Sequence, residues 1–124
     1  MNMVDASGWI EFFTAGPNGP KFKPVIEKTD ELLVTSINLY EVHRVLSRKL
    51  PADLRDTCLN LMRRAPIIDF TDALAIAAAE LSLKHQLAMA DAAMYAMALE
   101  NQSTLWTQDA DYQGLAGVQY FPKS

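Results

Sequence analysis

"LAMADAAMYAMALENQSTLWTQD", residues 87–109, is apolar or small at nearly every position up to Leu99, breaks at Glu100, Asn101 and Gln102, and resumes as a short apolar run around Leu105 and Trp106. A helix that is hydrophobic on all sides belongs inside a protein rather than on its surface. A strand without polar alternation belongs in a sheet covered on both faces. The reading is therefore a buried helix over 91–101 feeding a buried strand over 103–109. That pattern puts a parallel sheet between helices. One residue disagrees with the rest: Asp91 sets a carboxylate at the start of a segment that otherwise reads as core.

The same alternation extends in both directions. "NMVDA" (2–6), "ELLVTS" (31–36), "PIIDF" (66–70) and "GVQYF" (117–121) read as four further short strands, five in all. Between them, "SGWIEFFTAGPNGP" (7–20) reads as a short helix with Ser7 at its N-cap, running out into a Gly/Pro loop, and 21–30 as a second short helix. "INLYEVHRVLSRKL" (37–50) has helical periodicity and is stopped by Pro51. Residues 52–65 form another amphipathic helix with Leu54, Cys58, Leu59 and Met62 on one face, and "TDALAIAAAELSLKHQL" (71–87) an alanine-rich helix capped by Thr71 or Asp72. The alanines of 73–79 suit close helix packing, and Met89, Met94 and Met97 read as core. Trp106 also reads as core, and Trp9, Phe12 and Phe13 as core or subunit interface.

With 124 residues, half of them hydrophobic, the chain suits one domain over 1–124 and has neither a linker nor an internal repeat. No apolar run approaches the roughly 18 residues that span a bilayer. The N-terminus has no basic region before its apolar residues, so the expectation is no secretory signal and no membrane association. The lone Cys58 fits a reducing, cytoplasmic setting, and His43 and His85 have no companions at zinc-ligand spacing. His43 reads as a surface or rim residue. The formal charge of −4 argues against a wholly basic, nucleic-acid-coating surface. Residues 42–64 are the exception: Arg44, Arg48, Lys49, Arg55, Arg63 and Arg64 face only Asp53 and Asp56. Those side chains read either as solvated helix faces or as a patch toward phosphates.

The acids fall in a pattern. Asp5 ends the first strand, Glu41 follows the second by about one helical turn, Asp91 opens the buried helix, and Asp109 ends the fourth strand with Asp111 two residues on. Sites in open α/β sheets form outside the carboxyl ends of the strands. Asp5, a strand-end acid with no obvious basic partner, leans functional; the others each have a plainer reading alone. Asp91 fits an N-cap. Glu41 with Asn38 is close to a capping box. Asp109 and Asp111 fall in a turn-like stretch. Glu11 suits the exposed side of its helix. Gathered together, however, two carboxylates about 4 Å apart repel by roughly 4 kcal/mol at an effective dielectric near 20. A cluster persists only with a cation among the acids or with protons on some of them. Oxygen-only ligands suit a hard cation, Mg²⁺ or Mn²⁺, which usually meets phosphate oxygens, so an acidic cleft on this sheet suggests metal-assisted phosphodiester hydrolysis.

In order along the chain, "MVDASGWIEFF", "TSINLYEVHRVL" and "MADAAMYAMALENQSTLWTQDADYQGLAGVQYF" resemble the successive signatures of PIN-domain proteins, above all the VapC-type toxin ribonucleases. The matches are Asp5 with Ser7 after the first strand; Asn38 three residues before Glu41, where Thr or Ser is commoner; Asp91 with Ala92 opening an alanine-rich helix; and Thr107, Asp109, Asp111 and Tyr112 in a Thr-x-Asp-x-Asp-aromatic ending. The resemblance implies a three-layer α/β/α domain around a central, mostly parallel five-stranded sheet. It implies Mg²⁺ or Mn²⁺ held by Asp5, Glu41, Asp91 and Asp109, with Ser7, Thr107 and the flanking Asp111 supporting them. It further implies endoribonuclease activity, a homodimer and neutralisation by a VapB-type antitoxin. Arg44, Arg48 and Lys49 would then meet the RNA. A non-catalytic, protein-binding PIN-like module is the alternative. A receiver-like phosphotransfer domain would want a lysine near the end of a late strand, and "LWTQDAD" has none.

Overall fold

In the computed structural model, which describes residues 1–123, the strand expected at 103–109 occupies Thr104–Thr107 (β4) and lies at the middle of a parallel sheet. On one side it pairs with β1 (Asn2–Val4), with Met3 opposite Leu105. On the other it pairs with β5 (Val118–Tyr120), with Trp106 opposite Gln119. The segment before it is α6 (Met89–Glu100), in which every residue from Ala92 to Ala98 is buried. Strand alternation divides the interior in two. Met3 and Leu105 face a core built with α6 and α5 (Asp72–His85), while Val4 faces a second core with Trp9, Phe22, Val42 and Leu46. The second core is closed by α1 (Ala6–Phe13), α2 (Gly19–Glu27), α3 (Ser36–Lys49) and α4 (Ala52–Met62). Helices thus cover both faces, which is why the strands carry no polar alternation.

The expected single five-stranded sheet is divided. β2 (Val34–Thr35) pairs in parallel with β3 (Ile67–Ile68), and this two-stranded piece meets β1 only at an isolated parallel bridge between Asn2 and Leu32. The cause is local. β2 ends after two residues because Thr35 leaves the strand to cap α3: its hydroxyl accepts the Asn38 N–H at 2.9 Å, while the Asn38 carboxamide oxygen accepts the Thr35 N–H at 3.2 Å. The Asn38 amide then donates to the Val4 carbonyl of β1 at 3.2 Å. Where a ladder would continue toward the strand ends, one buried carboxamide bridges the gap.

Other sequence expectations are corrected by the same local physics. Asp5, not Ser7, caps α1, accepting the Gly8 N–H at 3.1 Å. The capping box of α3 joins Thr35 and Asn38, which leaves Glu41 a turn further in and free of capping duty. Leu54 is half exposed, so α4 is anchored by Met62 rather than by an unbroken apolar face. Met89 is 82% exposed, because the first turn of α6 projects past the core. Trp106 is only partly buried; its indole N–H donates to the Asn2 side chain at 2.9 Å. Glu11 is half-buried, with a carboxylate oxygen accepting the Asn18 N–H at 2.8 Å.

α1 lies close against β1 because position 8 lacks a side chain. A Cβ on Gly8 would fall 2.6 Å from Val4 Cγ1 and 2.9 Å from the Phe22 ring, both fully buried. Gly8→Ala should gain up to about 1 kcal/mol in helix propensity and lose more to overpacking, typically 1–3 kcal/mol. The expected outcome is a net loss of about 1–2 kcal/mol in urea unfolding. A variant as stable as the parent would show that β1 and α1 can separate freely.

Candidate active site

The carboxyl ends of β1 and β4 are the most constrained part of the chain. Asp5 follows β1 directly, its N–H held by the Trp106 carbonyl at 3.1 Å, and its side chain is 4% exposed. The Ser7 hydroxyl donates to both of its carboxylate oxygens, at 2.8 and 3.0 Å. At the end of β4 the buried Thr107 hydroxyl accepts the Asp109 N–H at 2.9 Å. Asp109 in turn folds the next turn, its Oδ1 accepting the Asp111 N–H at 2.9 Å to start a single 3₁₀ turn over Ala110–Tyr112. The chain comes back on itself there, and the Tyr112 hydroxyl reaches Asp91.

Asp91 is not an N-cap. Ala88 holds that position without a side-chain bond, and Asp91 stands third in the helix with its carboxylate turned toward β4. Glu41, on α3, projects to the same place. Asp5, Ser7, Glu41, Asp91, Asp109 and Tyr112 line one cavity of about 200 Å³, with Ile10, Val45 and Met94 as apolar wall. One carboxylate oxygen each from Asp91, Asp109 and Asp111 lie within 4.8 Å of one another. Asp5 and Glu41 share the cavity without joining that tight trio. Asp111, expected as a flanking acid, is exposed and contributes one oxygen to that trio without lining the cavity.

The electrostatics follow from the crowding. Burial, its effect partly reduced by hydrogen bonds from Ser7, Gly8 and Thr107, pushes the Asp5 carboxyl up to about 7. Burial first, then the charges of Asp91 and Asp109, raise Glu41 above the ordinary carboxylate range, with Arg44 pulling the other way. Asp91 is raised by burial and then by Asp109, so the favourable first-turn position of an acid at a helix N-terminus is outweighed. The Tyr112 phenol is pushed far above its usual range by burial and by the acids around it, which keeps it a donor. Among the described residues the ion pairs are Lys23–Glu27 and Arg55–Asp56, both away from the cavity. A set of carboxylate oxygens, none of them in an ion pair, fits a hard divalent cation.

Arg44 is exposed beside Glu41, on an apolar groove of about 430 Å³ that adjoins the cavity and is also lined by Tyr40, Phe70 and Met89. Arg48 and Lys49 lie exposed in the last turn of α3. Two contributors were not foreseen in the sequence. Tyr112 was visible there only as an aromatic in a motif, with nothing to signal its hydroxyl. Asn38 was read as a cap, with nothing to signal its reach to β1.

The family model for the PIN domain matches residues 3–118. Solved structures similar to the chain include a toxin–antitoxin complex from Klebsiella pneumoniae, at 18% identity and TM-score 0.81 over 96% of each chain. Another is the sarcin–ricin-loop-cleaving toxin VapC20 of Mycobacterium tuberculosis, at 18% identity and TM-score 0.76 over 94% of this chain and 95% of that one. A third is VapBC2 of Rickettsia felis bound to a DNA fragment from its promoter, at 15% identity and TM-score 0.75 over 99% and 98%. Among curated proteins no sequence matches significantly.

Proposed function

The chain belongs to the PIN-domain family, and from that premise we propose that it is a VapC-type toxin, a divalent-metal-dependent endoribonuclease restrained by a VapB-type antitoxin. The observation that carries this reading is the convergence of Asp5, Glu41, Asp91 and Asp109, from four separated segments, on one cavity where none of them forms an ion pair. Its similarity in fold to toxins of toxin–antitoxin complexes supports the partner, and the RNA loop named for VapC20 supports the substrate class.

Asp5, Glu41, Asp91 and Asp109 would hold Mg²⁺ or Mn²⁺, with Asp111 beside them. The chemistry the ion supplies when bound is an activated water and charge neutralisation at a phosphodiester. The chain's own groups do the rest. Ser7 and Thr107 orient the Asp5 carboxylate, and Tyr112 meets Asp91. With a pKa near 7, Asp5 holds its proton part of the time at neutral pH and must release it for the cavity to take a cation. Arg44, Arg48 and Lys49 extend a positive line from the cavity along α3, suited to a phosphate backbone. A single PIN domain acting as a homodimer, with an antitoxin covering the cavity, completes the reading. Among the described residues no helix is long and apolar enough to cross a membrane.

The direct test is metal removal. Purified chain, freed of any co-purifying partner, should cleave single-stranded RNA with Mg²⁺ or Mn²⁺ and lose that activity in excess EDTA. Mn²⁺ should also raise its melting temperature, since a ligand bound only by the folded state stabilises it. Cleavage insensitive to EDTA would reject the metal-based reading. Mn²⁺ binding without cleavage of any RNA would favour the protein-binding module instead.

A further inference from the structure

Tyr112 is fully buried, and its hydroxyl donates to two acceptors of one residue: Asp91 Oδ1 at 3.2 Å and the Asp91 backbone carbonyl at 3.1 Å. Among the described residues this is the one side-chain hydrogen bond Asp91 receives. We propose that Tyr112 is a positioning residue that pins the Asp91 carboxylate against its own helix, so that Asp91 meets a cation in one fixed orientation. The proposal rests on the metal-dependent reading above and adds to it the group that sets the geometry of one ligand.

Three observations support it. First, Asp91 is only half-buried and makes no capping bond, so nothing else in α6 fixes its rotamer. An unrestrained aspartate in the first helical turn swings between solvent and backbone N–H groups. Second, the ring of Tyr112 is packed independently of its hydroxyl. It sits in the α5–α6 core with its centroid 6.5 Å from that of Tyr95. Phenylalanine would fill the same space, so packing alone does not call for the oxygen. Third, the 3₁₀ turn that presents Tyr112 is built by Asp109, whose Oδ1 holds the Asp111 N–H and whose carbonyl accepts the Tyr112 N–H at 3.2 Å. Two acids from different elements are thereby joined through Tyr112, whose backbone N–H reaches Asp109 and whose hydroxyl reaches Asp91. With Oδ1 engaged by the phenol, Oδ2 is the oxygen of Asp91 left without a protein partner.

Groups that orient a ligand typically change metal affinity 10–100-fold when removed. Tyr112→Phe should therefore weaken Mn²⁺ binding about 10-fold or more, measured by calorimetry on the intact chain without RNA, while the metal-free melting temperature moves by less than about 5 °C. On RNA, kcat should fall with KM nearly unchanged. Made in an Asp91→Asn background, the same substitution should change Mn²⁺ affinity less than twofold, because its effect passes through the Asp91 carboxylate. A Tyr112→Phe dissociation constant within twofold of the parent's overturns the proposal. So does an equal weakening in both backgrounds, which would report general loosening. Because Mn²⁺ is read without substrate, a parent that binds the ion but cleaves no RNA sinks the ribonuclease reading and leaves this one standing. A parent that binds no Mn²⁺ overturns both.

Discussion

Asp5→Asn is expected to lower RNA cleavage by about 10³-fold or more and, in metal-free protein at pH 8, to raise stability. The first effect follows from losing a carboxylate that lines the cavity. Metal-borne charge stabilisation is worth several kcal/mol, and each 1.36 kcal/mol is a factor of ten. The second follows from proton linkage. Folded Asp5 titrates near 7 and an unfolded aspartate near 3.8, so between those values the folded chain keeps a proton that the unfolded chain has released. Stability of the metal-free parent must therefore fall as pH rises from about 4 to about 7, and the penalty persists above that. Asparagine carries no such charge. It should match the parent, or fall slightly below it, at pH 4.5 and exceed it by about 1–2 kcal/mol at pH 8 in thermal melts with chelator present. A pH-independent difference would mean that Asp5 is not the buried acid described, and parental cleavage by the variant would remove it from the chemistry.

Asn38→Ala should have the largest effect on stability. Its carboxamide satisfies the Thr35 N–H and the Val4 carbonyl, all three residues being fully buried. Truncation leaves a donor and an acceptor without partners, at about 1–3 kcal/mol for each unsatisfied group. An expected loss of about 2–4 kcal/mol would show as an earlier midpoint in urea. Asn38→Asp keeps the acceptor for Thr35 but loses the donor for Val4, so it should recover part of that loss at most. Equal stability of Asn38→Ala and the parent would mean that water or backbone replaces the bridge.

How much of this was legible in the residues varied with the range of the interaction. The order of strands and helices could be read because buried strands and the all-apolar α6 leave local signatures. The acids could be singled out because Asp5 and Asp109 follow strands and Glu41 and Asp91 lie in the first two turns of helices. Caps were harder. Ser7 is an ordinary N-cap residue, yet Asp5 takes that position because the helix begins at Ala6, two residues earlier than a Ser7 cap implies. The break in the sheet was out of reach, because it depends on Asn38 reaching 34 positions back to Val4. Met89 misled because it heads the same apolar run as Met94 and Met97, while its exposure depends on how far α6 overshoots the core. The closeness of Asp111 to Asp91 and Asp109 was likewise out of reach, because it depends on a turn folded by the Asp109 side chain.

The pairing of β1 with β4 has a consequence during synthesis. Asn2 lies opposite Thr104, so the strand that carries Asp5 waits for about a hundred more residues before its main hydrogen-bonded neighbour exists. Closing so long a loop is slow compared with forming helices α1 to α6. Asp109 arrives with that last segment. A nascent polypeptide whose residues 104–109 have not yet emerged from the ribosome therefore lacks the assembled acids, and the bond-cutting capacity proposed for the folded molecule arises only after that segment is free to pair.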